Sequence, residues 1–380
     1  MIINNFRNKL EKSRFIAIDV GKGDAFYLEK NDTSILVDGG AAVKNFPQKF
    51  METVGTCHVD ILICTHNDSD HANGILGFLS SSLSCREVWL PGSWTTRLED
   101  IIRNPLGFQR ELINEIFKKK KDEISLKENN ANRIAAGLYN NRPIEQIYST
   151  LDKFEIENYN ILKQQISFMK LFTQLWGDEK KTKLLVNALT EADRIRKIAI
   201  EAIRKNVTIR WFQYNKSEIS GGIKNILEPV NSKEILYIPP YKPSALEYLK
   251  LTKANEESLV FISPLNKKIP AILFSADSDF SFNQKIQWDN RMIITAPHHG
   301  AETNKNVYTR YHKEASGFSN IQWIRSDGKY KKRPGDSYLS LEDKHYCTVC
   351  RNKYSIKSPV IFIELNGEWI PEDSLTCTCL

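Results

Sequence analysis

No stretch of the 380 residues approaches the roughly 20 consecutive apolar side chains that a membrane-spanning helix needs. The opening MIINNFRNKLEKSRF carries no apolar core of the secretory kind, so the expected compartment is the cytoplasm, with no membrane partner. There is no internal repeat at a fixed period and no long low-complexity tract. Cysteine is sparse and odd in number, seven in all, which without a secretory signal argues against a disulfide framework. Charge of one sign is not in large excess either. The net charge of +7 and pI near 8.8 are a mild basic balance. That suits a polyanionic substrate, because Lys and Arg near a cleft concentrate phosphates, but many proteins without such a partner share it.

What is present is an ordinary globular composition, 41% hydrophobic and 26% charged, long enough for one large or two modest domains with a well-buried core. From Phe15 to Gly40 the pattern reads strand, turn, strand: FIAIDV, the turn GKGD, then AFYLEK and SILVDGG. VDILICTH is a nearly continuous apolar run ending in polar residues, as in a buried strand, and REVWLPG reads as the next one. From about Thr95 to Asn206 the chain becomes charged, Leu/Ile-bearing and helical in period, with few Gly or Pro. Strand signals return at VTIRWFQYN, EILYI, ESLVFI, AILFSAD, RMIITAPHHG and VIFIEL. The charge run Lys118–Lys121 reads as a solvated helix face. The expected class is therefore α/β, with a mostly helical insertion (96–205) between two parts of a core (14–95 and 206–370). The role of the insertion stays open between a lid, a dimer or protein-partner interface and a gauge of substrate length.

The chemistry concentrates behind VDILICTH. His66, Asp68, Asp70 and His71 set four potential metal ligands within six residues, and a tight loop at a strand end can aim alternate side chains into one cleft. Gly74 in the following Ala-Asn-Gly is expected to let a helix start close by. The plain alternative, a polar turn with chance histidines, fits this spacing poorly. Asp277, ending the apolar AILFSAD, is placed to bridge two metals; Asp279 reads as a turn residue. In APHHG, His298 and His299 on an extended backbone would point opposite ways, so that one loop serves two metals, or one metal and the substrate. How the two divide stays open.

In order along the chain stand Asp19-Val20-Gly21-Lys22-Gly23-Asp24, Asp38-Gly39-Gly40, the His66–His71 segment, Ser258-Leu259-Val260, Ala276-Asp277 and His298-His299-Gly300-Ala301. This pattern resembles the metallo-β-lactamase superfamily, whose H-x-H-x-D-H is followed by a bridging Asp and a further His. More narrowly it is similar to the ComEC-like cytosolic domain of DNA-internalisation competence proteins, which reads D-V-G-Q-G-D, D-G-G or D-T-G, H-x-D-x-D-H, S-L-V, G-D and H-H-G-S. The resemblance covers about residues 14–95 and 206–370. It implies a metallo-β-lactamase αββα sandwich and two divalent metal ions, Zn²⁺ or Mn²⁺ with Mg²⁺ also admissible. It further implies that the turn Gly21–Asp24 lies beneath the metals, that Asp24 orients a metal-binding histidine, and that Asp38 ends the next strand at the same edge. A carboxylate capping its own hairpin is the alternative for Asp24. His66 and Asp68 would serve one metal, Asp70 and His71 the other, with Asp277 between. Three departures matter. Asp68 replaces the second histidine of the wider superfamily, which hardens the site. Asn255 stands near the place of the middle histidine, and Arg333-Pro334 where the competence branch often has His-Pro; Arg333 reads equally as a surface residue or a contact for an anionic group.

Cys57, Cys64 and Cys85 sit singly in or near apolar segments and read as buried thiols. Cys347 with Cys350 (C-x2-C) and Cys377 with Cys379 (C-x-C) provide four thiolates within 345–380, enough for a structural tetrahedral Zn²⁺. Reduced surface thiols are the alternative. The expected function is a metal-dependent phosphodiesterase, a nuclease of DNA or RNA, with Asp70, His71 and Asp277 as its catalytic residues. Two other readings stand beside it: a metallo-hydrolase of a small molecule (a cyclic nucleotide or other phosphodiester, a lactone or a thioester), and a non-catalytic partner-binding module with a vestigial site.

Overall fold

A computed structural model of the chain describes residues 13–117, 142–151, 178–249, 255, 257–266, 269–328, 330, 332–349, 358–372 and 377. The chain divides into two compact units, one of Met1–Pro91, Arg204–Glu234 and Thr252–Leu380, the other of Gly92–Ile203 and Ile235–Leu251. Lys118–Lys121 lies outside the described residues.

The first unit is mixed α/β. Its strands are β1 (Arg14–Ala17), β2 (Phe26–Lys30), β3 (Thr33–Val37), β4 (His58–Ile63), β5 (Ser84–Pro91), β6 (Thr208–Tyr214), β7 (Glu228–Pro229), β8 (Ser232–Ile235), β9 (Phe261–Ser263), β10 (Ile272–Phe274), β11 (Ile293–Thr295), β12 (Gln322–Arg325), β13 (Lys344–Cys347), β14 (Val360–Leu365) and β15 (Glu368–Pro371). A nine-stranded sheet runs β15-β14-β1-β2-β3-β4-β5-β6-β8, and a six-stranded sheet runs β13-β12-β11-β10-β9-β7. Each combines antiparallel and parallel pairing: β3, β4, β5 and β6 pair in parallel, as do β10, β11, β12 and β13. The β2–β3 hairpin turns on Asn31 and Asp32, both at positive φ, the two-residue loop whose twist matches that of the strands.

Period-two burial builds the core. Phe15 and Ala17, Phe26 and Leu28, Ile35 and Val37, Ile61 and Ile63 face inward and share one cluster with Phe261, Ile272, Phe274 and Ile293 of the other sheet. Phe274 lies 6.1 Å from Phe15, and Phe261 5.5 Å from Trp89, between ring centroids, so the sheets pack face to face. Helices cover both outer faces. On the nine-stranded sheet, Phe50 of α1 (Phe46–Val54) meets Tyr27 and also Phe78 of α2 (Ser69–Leu79). On the six-stranded sheet, Tyr308 and Tyr311 of the helix Lys305–Glu314 pack on Trp323. The layers are helix, sheet, sheet, helix. Truncating any one of these buried rings to Ala costs about 3–5 kcal/mol.

Lys30 at the end of β2 is fully buried, donating to Ser263 Oγ (2.9 Å) and the Pro264 carbonyl (2.5 Å). Burial pushes its ammonium down to about 8, with Glu228 and Asp289 opposing.

The second unit is helical: α3 (Thr95–Arg103), α4 (Pro105–Phe117), α5 (Glu145–Leu151), most of α6 (Glu179–Arg204) and α7 (Ala245–Tyr248). Its buried Arg97 is fully partnered, by Asp100 (2.5 Å), Glu111 (2.6 and 3.0 Å) and the Pro243 carbonyl (2.7 Å). Glu115 accepts from the backbone N–H groups of Ala245 and Leu246 at the start of α7.

Three expectations need correction. EILYI does not continue as a strand: β8 ends at Ile235, and Leu236 and Tyr237 are exposed within the helical unit. Cys57 is exposed, because it precedes β4 at the solvent-facing strand entry, while Cys64 and Cys85 are buried. Gly74 does not start a helix but lies inside α2, where a Cβ would fall 1.9 Å from the Gly39 carbonyl oxygen. Its role is close backbone approach, which draws α2 against the strand end carrying Asp38. Among the described residues no helix is long and apolar enough to cross a membrane.

Candidate metal centre

Most of the ligand candidates follow the carboxyl end of a strand, where the connections of a parallel sheet converge. Asp38 follows β3 with a positive φ of 59°. Thr65 and His66 follow β4, and the chain turns at once into α2. Asp68 occupies the N-cap position of that helix without making a side-chain cap, which leaves its carboxylate to the centre; Asp70 and His71 fill the first turn. Gly23 lies so close beneath that a Cβ there would fall 1.7 Å from the Asp70 carbonyl. Asp277 follows β10. After β11 come His298, His299 and Gly300 with φ of 47°, 56° and 80°.

That last segment departs from the extended backbone expected for the two histidines. Two successive non-glycine residues in the left-handed region cost on the order of 1–3 kcal/mol each. The result is that both rings turn toward one carboxylate instead of away from each other. His298 Nε2 is 3.6 Å from Asp277 Oδ2, and His299 Nε2 is 3.9 Å from Asp277 Oδ1.

Asp277 organises the remainder in the same way. Toward Oδ1 lie His71 Nε2 (3.1 Å) and His299 Nε2, and the latter is 3.8 Å from Asp70 Oδ2. Toward Oδ2 lie His66 Nε2 (3.7 Å) and His298 Nε2, and His66 Nε2 is 3.9 Å from Asp68 Oδ2. Two histidines and one further aspartate thus attend each oxygen of one buried carboxylate. Asn255 Nδ2 also reaches Oδ2, at 3.3 Å.

The other ring nitrogens settle which tautomer each histidine holds. His71 Nδ1 lies 2.8 Å from Asp38 Oδ2, an acceptor only, so Nδ1 carries the proton. Thr65 donates its hydroxyl to Asp38 (2.7 Å), so His66 Nδ1, 2.9 Å from that hydroxyl, donates to it. His299 Nδ1 lies 3.0 Å from both Asp24 Oδ1 and the Ser326 carbonyl. Asn304 spends its amide N–H groups on the carbonyls of Asp277 and Ser278, so its Oδ1 accepts from His298 Nδ1 at 3.1 Å. All four rings, once neutral, therefore offer an Nε2 lone pair to the space around Asp277. The Nε2 atoms of His66, His71 and His299 and Oδ1 of Asp277 are buried without a hydrogen-bond partner; the 3.1 Å approach of His71 to Asp277 lacks the geometry of one. Orphaned buried atoms of this kind are costly unless a ligand uses them. The donor set, imidazole nitrogens with carboxylates, fits divalent transition cations.

Three groupings bring ligand atoms within 4.8 Å of one another: Asp24-His71-His299, Asp38-His66-His71 and His66-Asp68-Asp277. In the first two the carboxylate already holds a histidine by Nδ1, so those contacts orient rings, whereas the third lies on the Nε2 side. Electrostatics follow the same division. Burial drives Asp277 upward, but His71, His299 and His66 outweigh it and hold the carboxyl well below its usual range. Burial likewise opposes the charged form of His71, yet Asp277 and Asp38 raise it well above an ordinary histidine. His299, against the same burial, is raised to about 9 by Asp24 and Asp277. His66 is lowered by burial and by its neighbour His71.

Arg333 is not among these groups. Its Nε meets the buried Asp327 at 3.3 Å, and its guanidinium stacks 4.5 Å from the Tyr330 ring centroid. Asp279 caps its own turn at Ser281 N–H. Cys347 and Cys377 are brought together, sulfur to sulfur at 3.3 Å, and Cys350 and Cys379 lie outside the described residues. Sequence reasoning missed Thr65, Asn304, Ser326 and Lys22, whose ammonium lies 3.5 Å from Asp70 Oδ2. Only Thr65 and Lys22 had a local signal, being embedded in the motifs themselves. No protein-family model matches the chain, and no curated protein matches it.

Proposed function

We propose that the centre around Asp277 holds two divalent cations and that the protein is a metal-dependent phosphodiesterase, a nuclease of DNA or RNA, of the ComEC-like metallo-β-lactamase type. The observation that carries this reading is the carboxylate whose two oxygens each face two orphaned or outward-aimed imidazole Nε2 atoms. Helix-sheet-sheet-helix layering and the order of the motifs support the family. His71, His299 and Asp70 would hold one cation, His66, His298 and Asp68 the other, with Asp277 shared. Mixed nitrogen and oxygen donors favour Zn²⁺ or Mn²⁺ over Mg²⁺. Bound there, such ions supply an activated water and charge neutralisation for in-line attack on phosphorus.

The chain's own contribution is orientation. Asp38, Thr65, Asp24 and Asn304 fix the four rings by Nδ1, and such supports typically change metal affinity by about 10–100-fold when removed. Lys22, half exposed beside Asp70, presents a cation at the edge of the centre where an anionic substrate approaches. Asp70 would help orient the nucleophile.

The test is cleavage of single-stranded DNA, duplex DNA and RNA with Mn²⁺, Mg²⁺ or Zn²⁺. Cleavage is expected with at least one, and its loss in an Asp70→Ala, His71→Ala double variant. A preparation that binds two cations yet cleaves no nucleic acid would sink the nuclease reading and turn attention to small phosphodiesters, lactones or thioesters.

A further inference from the structure

Two groups beside the Asp277 centre stand outside its ligand set, the ring of Tyr330 and the guanidinium of Arg333. They form one unit. The two residues pair across an antiparallel bridge, and the guanidinium carbon lies 4.5 Å from the ring centroid. Both flanks of the pair are tied to the centre. Upstream, the Ser326 carbonyl receives His299 Nδ1, and Ser326 Oγ donates to the Gly23 carbonyl at 2.9 Å. Downstream, Gly335 N–H donates at 2.8 Å to the carbonyl of Gly300, the residue after His299. The ring also stands beside the Gly21–Asp24 turn. A Cβ on Gly328 would fall 3.2 Å from Tyr330 Cε2, 3.5 Å from the Gly21 carbonyl oxygen and 3.8 Å from Lys22 Cα. Lys22 Nζ in turn lies 3.5 Å from Asp70 Oδ2.

Exposure and charge say what such a unit can hold. Tyr330 is 43% exposed, so a large ring stiffened by a guanidinium on its face is presented to solvent. Arg333 Nε faces Asp327, but that buried carboxylate is divided with Arg325 Nη1 at 3.4 Å and does not neutralise Arg333 by itself. The Nη groups of Arg333 have no partner among the described residues. A flat ring with cations on either side matches an unpaired nucleotide, which offers a base to stack and phosphates to neutralise. A duplex keeps its base faces stacked within itself. We propose that Tyr330, Arg333 and Lys22 form a subsite for one nucleotide of a single-stranded nucleic acid. Tyr330 stacks the base, and Arg333 and Lys22 meet the phosphates that flank it. The proposal rests on the nuclease reading of the Asp277 centre and narrows its substrate to single strands.

Fluorescence anisotropy on the full chain loaded with Mn²⁺ tests the subsite without turnover. The probes are a labelled oligothymidylate with cleavage-resistant phosphorothioate linkages, its duplex with oligoadenylate, and an abasic strand of equal length. Wild type should bind the single strand more tightly than the duplex. Tyr330→Ala should weaken single-strand binding by about tenfold, leave the abasic strand and the Mn²⁺ content unchanged, and be rescued by Tyr330→Trp. Lys22→Gln should weaken both single strands and lower the slope of log K against log salt by about 0.7. A chain that binds in this way but cleaves no nucleic acid keeps the subsite and loses the nuclease. The subsite is overturned if wild type binds no single strand or prefers the duplex. It is equally overturned if Tyr330→Ala binds oligothymidylate as wild type does, or loses the abasic strand to the same extent.

Discussion

The buried charges around Arg97 and those around Asp277 are finished differently. Around Arg97 every guanidinium nitrogen has a partner, supplied by Asp100, Glu111 and a backbone carbonyl. Around Asp277 four histidines are each held on one nitrogen, and the other nitrogen of three of them is buried with none. A cluster that serves stability closes its hydrogen bonds. On the proposed reading, the Asp277 cluster keeps atoms in reserve for a ligand, and the left-handed backbone at His298 and His299 aims them. Charge and burial are common to both; the leftover atoms separate them.

The contrast is broken or sharpened by substitution. The largest effect is expected from Asp277→Ala, which should abolish metal-dependent hydrolysis and remove both cations, read as metal content by elemental analysis. Arg97→Met should do the reverse. It should cost about 3 kcal/mol in denaturant unfolding, toward the lower end for a broken buried pair because Asp100 and Glu111 are partly exposed, and leave metal content unchanged.

Lys30 stands between the two types, a buried cation with two neutral acceptors. Its folded value of about 8 lies below the unfolded 10.5, so both states hold the proton below pH 8 and the destabilisation is fully present there. Between about pH 8 and 10.5 the native state deprotonates first, and stability should rise by on the order of 3 kcal/mol. Tyr27, pushed up by burial to about 12, and Cys85, to about 11, act in the opposite sense in alkali. The measurement is therefore the difference in unfolding free energy between wild type and Lys30→Met across that window. A difference that stays flat would contradict the assignment.

Next in size, saturating divalent cation should stabilise the native state by about 2.7 kcal/mol at a hundredfold excess over Kd, seen as a higher Tm that Asp277→Ala does not show. The smallest effect belongs to Asp38→Asn and Thr65→Val, which loosen His71 and His66 without removing a ligand. Each should weaken metal binding by about 10–100-fold in titration calorimetry.

Much of this centre was legible before folding, because His66, Asp68, Asp70 and His71 lie within one loop and helix turn, and their chemistry is carried by residue type. Asp277 and the adjacent His298 and His299 could be named for the same reason, as strand-end residues. What could not be read was direction. The left-handed turn that aims both histidines at one carboxylate depends on φ values that nothing in APHHG announces. Asn304 and Ser326 act through an amide and a backbone carbonyl from distant segments, and neither carries a spacing signal. In the fold, hydrophobic alternation exposed most strands, yet EILYI failed because two of its apolar side chains end exposed in a different unit. Gly74 misled for a related reason. A glycine that ends an element and one that lets two backbones touch look alike in sequence.

The central claim is that Asp277 is shared between two cations, and Mn²⁺ stoichiometry tests it most directly, since Mn²⁺ has little preference for thiolates and reports the histidine-carboxylate centre alone. Equilibrium dialysis of the full chain should give two Mn²⁺ per chain at saturation and none in Asp277→Ala. A wild-type value below one, or a stoichiometry unchanged by the substitution, would contradict it.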